Sequence, residues 1–93
     1  MDKFNMLSCI FNASTGESVI IQCSSHQHRI IIFKELWREI ETNGMRDRWQ
    51  ILKSSWEFIS QNKGFIKIVV REDELRGTRA DWLFWEGYLL GGV

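Results

Sequence analysis

Cys23, His26 and His28 are the residues in this chain whose types and spacing come nearest to metal chemistry, as Cys-x-x-His-x-His. Thiolate and imidazole suit Zn²⁺, but a structural zinc site takes four ligands. Cys9 would be a fourth only if the fold brought it alongside. His26 and His28 also fall at the start of a helical pattern, where residues two apart diverge by about 200°. The expectation is therefore no metal and no cofactor, with Cys23, His26 and His28 as weak candidates only.

The same Cys23 beside a His suggests a thiol nucleophile, which needs partial exposure, an electropositive setting and an aligned base. Cys23 instead closes a β-branched run and reads as a small buried side chain. None of the serines stands in a Gly-x-Ser-x-Gly elbow. Glu72, Asp73, Glu74 and Asp81 gather beside Arg71, Arg76 and Arg79. Paired carboxylates can divide acid and base roles, but a solvated loop of mixed charge is the commoner explanation of such a segment.

These residues must be positioned by few elements, because 93 residues make one domain, 1–93. Twelve basic and twelve acidic residues cancel, so net charge does not indicate nucleic acid, although a local patch would still allow it. With 44% hydrophobic and 26% charged residues the chain has enough apolar material for a core, including five Trp and six Phe. No stretch approaches the length of a membrane span and no apolar leader opens the chain. The two cysteines then read as reduced thiols of a cytoplasmic protein that meets no membrane, in host cytoplasm if the chain is viral.

Residues 4 to 11 are apolar in a pattern open to helix or strand. Ser18 to Cys23 is a β-branched run that reads as a buried strand. Ser24 and Gln27 match a capping box, and Ile30, Phe33, Leu36, Trp37 and Ile40 follow at helical spacing. Asn43-Gly44 supplies the stop, which predicts a helix over about 25–43. Arg46 to Ser54 is ambiguous, with Asp47 on a surface loop. Two β-rich runs flank Gln61-Asn62-Lys63-Gly64 and predict a hairpin over about 56–70. Asp81 to Glu86 is a continuous apolar run that reads as a central strand buried on both faces. The expected fold class is α/β: a small sheet of about four strands, one long capped helix and a hairpin.

The order strand, capped helix, hairpin, Arg-Gly element and apolar strand ending in Glu86 resembles the ATPase core of viral and phage large terminases, the motors that package DNA. The sharpest part is Leu75-Arg76-Gly77-Thr78-Arg79-Ala80-Asp81, leading into what would be the Walker B strand. The departures are large. The phosphate-binding loop of that family needs Gly-Lys-Ser/Thr, and no Gly-Lys pair exists in this chain. Its Walker B strand ends Asp-Glu, whereas Trp85 stands at the Asp position and only Glu86 matches. Without phosphate cradle or metal carboxylate, the stabilisation that phosphoryl transfer depends on is missing.

The resemblance therefore implies a non-catalytic viral-type binding module, regulatory or inhibitory. Its alternative is a true motor segment that works only with a P-loop supplied elsewhere. A small thiol- or metal-dependent enzyme is a third reading, and it rests on Cys23, His26 and His28. Trp82, Trp85 and Tyr88 would form the partner-binding surface, for another protein or a second copy, because Trp and Tyr dominate interface hot spots. Arg76 and Arg79 would join it if the motor resemblance holds.

Overall fold

Met6, Cys9, Ile10 and Ala13 recur at helical spacing and are all buried, which makes the N-terminal segment a helix, α1 (Lys3–Ser14). Asp2 caps it by accepting from the Asn5 N–H at 3.2 Å. In the computed structural model, which describes residues 2–70 and 79–91, α1 is followed by β1 (Ser18–Gln22), α2 (His26–Thr42), β2 (Trp49–Leu52), β3 (Glu57–Ser60), β4 (Phe65–Val69), β5 (Trp82–Trp85) and α3 (Glu86–Leu90). The protein is an α/β domain. Single 3₁₀ turns at Arg46–Arg48 and Lys53–Ser55 precede and follow β2.

The five strands form one mixed sheet in the order β2-β3-β4-β1-β5. β1 pairs in parallel with β4 and β5, while the β2–β3 and β3–β4 pairs are antiparallel. The expected hairpin is β3–β4, joined through Gln61 to Gly64, and the expected long helix is α2. The fifth strand, β2, comes from the segment whose sequence was ambiguous.

Helices α1 and α2 share one core with one face of the sheet. Met6, Cys9, Ile10 and Ala13 of α1 meet Ile32, Phe33, Leu36 and Ile40 of α2 over Val19, Ile21, Phe58, Ile66 and Ile68. Burying each such aliphatic or aromatic side chain is worth about 1.5–3 kcal/mol. The buried stripe of α2 includes Ile32, whereas Ile30 is only part-buried. The cap differs as well. Ser25, not Ser24, stands at the N-cap and accepts from the His28 N–H at 3.2 Å. Gly44, at φ +69°, makes the left-handed stop.

Two side chains from the hairpin hold the C-terminal end of α1: Ser60 Oγ donates to the Ala13 carbonyl at 2.8 Å and Asn62 Nδ2 to the Ser14 carbonyl at 2.7 Å. That approach requires glycine at position 64, where a Cβ would stand 1.9 Å from the Ala13 oxygen.

The apolar run at 82–85 is a strand but not a central one. β5 is the edge of the sheet, and Trp82, Leu83 and Trp85 are exposed. The expectation of burial on both faces is corrected: β3, β4 and β1 hold the interior positions, and among the described residues no strand lies beyond β5.

Candidate functional site

The parallel strands β1 and β5 end side by side, Gln22 against Trp85, and the chain leaves each into a helix. The crevice outside the carboxyl ends of parallel strands is where α/β sheets usually place ligands. Here the two exits deliver Ser24 and His28 from one side and Glu86 from the other.

Glu86 is 7% exposed. Burial acts to raise its pKa, but hydrogen bonds from the Ser24 hydroxyl and backbone N–H, together with His28, outweigh it and hold the carboxyl below its ordinary value. An ionised carboxylate only accepts, so the 2.7 Å contact is a hydrogen bond from His28 Nδ1–H to Glu86 Oε2. The Ser24 hydroxyl lies 3.3 Å from the same nitrogen. In the neutral ring this leaves the lone pair on Nε2. Ser24, His28 and Glu86 thus form an acid–base corner in which the Ser24 hydroxyl and Glu86 share Nδ1, and among the described residues no nucleophile is aligned with the Nε2 lone pair.

Cys23, beside this corner, is buried, and desolvation followed by the nearby Glu86 charge pushes its thiol up to about 12. Cys9 is buried in the core, and desolvation raises its thiol to about 12 as well.

His26 takes a different course. Its Nδ1 accepts from Arg29 Nη2 at 2.8 Å, and its ring meets Trp56 edge-on at 5.2 Å. Trp56 is itself left-handed, at φ +58°, and lies under the Arg29 guanidinium at 4.7 Å and against Phe33 at 5.2 Å. His26 and His28 are therefore directed to different partners while the Cys23 thiol is buried, and among the described residues no three His, Cys, Asp or Glu side chains are grouped to hold a metal ion.

Beyond the acid–base corner the β5 edge is apolar. Register places Trp82 and Phe84 on the helix-bearing face beside Val19 and Ile21, and Leu83 and Trp85 on the opposite face beside Ile20 and Gln22. Phe84 packs against the core, while Trp82, Leu83, Trp85 and Tyr88 are 44%, 59%, 47% and 62% exposed. Of the other expected surface residues, Arg79 is exposed and 3.6 Å from Asp81. Arg76, with Arg71, the acidic cluster of Glu72, Asp73 and Glu74, and most of the Leu75–Asp81 segment, lies outside the described residues. Asp81 is described: it accepts from the Ser18 N–H at 2.9 Å and donates its own N–H to the Ser18 carbonyl at 2.9 Å, which sets the start of β5 against β1.

Sequence reasoning missed the His28–Glu86 pair, whose members are 58 positions apart. It also missed Leu83 as part of the exposed surface, and the outward stripe of Phe4, Leu7 and Phe11 on α1. The stripe was detectable: with Met6, Ile10 and Ala13 assigned inward, helical spacing turns Phe4, Leu7 and Phe11 outward. Comparison of the chain with protein-family models, with curated proteins and with solved structures found no match in any of the three.

Proposed function

We propose that this domain is a non-catalytic protein-binding module of viral type, resembling part of a DNA-packaging ATPase core, that docks through its β5–α3 edge. The observation carrying this reading is the β5 edge, which no other strand covers among the described residues. It offers Trp82, Leu83 and Trp85 on its two faces, with Tyr88 adjoining, and no charge, proline or bulge interrupts it. Natural edge strands normally carry such protection, and an exposed edge of this kind suits the addition of a partner's strand. With no partner present, the same edge pairs with a second copy. The test is whether the particle's mass in solution depends on Leu83.

A second reading has its own observation. Glu86 is buried and ionised at the carboxyl end of a parallel strand, next to the exit of β1, where the terminase resemblance would place the residue that orients water. This supports a motor segment completed by a P-loop from elsewhere. Thermal unfolding with and without Mg-ATP after such a P-loop segment is restored separates the two. A motor segment is stabilised by nucleotide, by about 2.7 kcal/mol at a hundredfold excess over Kd; a binding module is not.

A further inference from the structure

The register of the sheet brings a second set of residues together on the face opposite α1 and α2, toward the end of the molecule away from Glu86. Ile59 faces Phe65 across β3–β4, and Phe65 faces Ser18 across β4–β1. The next row along pairs Glu57 with Lys67. Ser18, Glu57, Ile59, Lys63, Phe65, Lys67 and Arg79 line a groove of about 410 Å³ there.

Its floor is apolar, Ile59 and Phe65, and three cations surround it from three different elements: Lys63 from the β3–β4 turn, Lys67 from β4 and Arg79 from the lead into β5. Lys67 is 3.6 Å from Glu57, a half-buried pair with side chains 25% and 23% exposed whose carboxylate also lines the groove, and the exposed Arg79 is 3.6 Å from Asp81. Lys63 has no carboxylate partner among the described residues, and its backbone is left-handed at φ +72°. The turn holds it there through the Lys63 N–H to Ser60 carbonyl and Ser60 N–H to Gly64 carbonyl bonds, at 3.0 and 2.8 Å. Glycine or asparagine fills such a position at less cost.

We infer that this groove binds single-stranded nucleic acid, with a base against Phe65 and Ile59 and the backbone phosphates on Lys63, Lys67 and Arg79. Phe65 supplies a stacking face that is indifferent to base identity, and the cations supply the backbone attraction. A duplex keeps its bases in their own stack and leaves the floor empty. A free nucleotide presents its phosphates at one point, which a glycine-rich turn or helix N-terminus gathers; here the cations surround the floor instead, and among the described residues neither device lines the groove.

The test is fluorescence anisotropy of a labelled twelve-residue oligo(dT) with the full chain, from 50 to 200 mM salt. Binding is expected with Kd on the order of 10–100 μM, and a log–log salt slope of about −2 for three cations. Lys63→Gly is the diagnostic variant. It should weaken binding by roughly fivefold and reduce the slope by about 0.7, while its melting temperature stays level or rises because glycine fits the turn. Phe65→Leu should weaken binding roughly fivefold with the slope unchanged, circular dichroism confirming the fold. The inference is overturned if oligo(dT) does not bind at 50 mM salt, or if both variants bind as the parent does. It is equally overturned if duplex DNA, polyglutamate or AMP binds as tightly as the strand.

Discussion

His28 Nδ1 and Glu86 Oε2 stand 2.7 Å apart and join the first turn of α2 to the first residue of α3 across the ends of β1 and β5. The contact closes the sheet at its carboxyl end. It also makes Glu86 the one buried carboxylate among the described residues, kept charged by hydrogen bonds rather than by water.

Because the folded pKa of Glu86 is depressed, its contribution is present above the unfolded value, about 4.3, and is lost as pH falls through the folded value. Glu86→Gln should lower stability at pH 7 by about 1.5–3 kcal/mol, the range for hydrogen bonds to a charged group. Urea unfolding at pH 7, 5 and 3 checks this. The gap between parent and variant should persist at pH 5 and narrow at pH 3; an equal gap at all three would show that the charge is not what matters.

Gly64→Ala should be among the most damaging single-methyl changes in the chain. The new Cβ would meet backbone, the Ala13 oxygen at 1.9 Å, with no flexible side chain able to yield. Overpacking of this kind costs about 1–3 kcal/mol or more, and the hairpin's bonds from Ser60 and Asn62 to α1 would be strained together. Thermal unfolding should show a clear drop in Tm, whereas an unchanged Tm would contradict the close approach.

Both thiols should resist alkylation in the native protein. With pKa values pushed up to about 12, the thiolate fraction at pH 8 is roughly one in ten thousand. Iodoacetamide followed by mass spectrometry should find Cys9 and Cys23 unmodified in native buffer and both modified in urea. Their raised pKa values also contribute stability that is full below about 8.5 and declines as pH rises toward 12. Rapid native labelling of Cys23 would reopen the thiol-enzyme reading.

How far the sequence could be read depended on whether an element's signal was local. α2 carries its own stripe and stop, so it was legible to within a residue at each end, although two adjacent serines hid which one caps it. The β3–β4 hairpin was legible from its turn. The segment at 4–11 was not, since the adjacent apolar pairs Met6-Leu7 and Cys9-Ile10 satisfy either period until packing chooses. β2 is four residues long between two 3₁₀ turns, too short to show alternation. The place of β5 was misread for a deeper reason: an apolar run has the same sequence at the centre of a sheet as at its edge, and only the strand order decides. The acid–base corner depends on residues 58 apart, so its members could be named singly but not paired.

The most direct test of the docking edge is the mass of the native particle, by light scattering during size exclusion, for the parent and for Leu83→Lys. Leu83 is exposed at the outer strand, so the substitution leaves the core untouched and places a charge where edge strands are normally protected. The parent should pass, as concentration rises, from the 11.0 kDa monomer toward twice that mass, and Leu83→Lys should remain at 11.0 kDa throughout. A parent that stays monomeric at every concentration, or a variant that associates as the parent does, would contradict the β5–α3 edge as the binding surface.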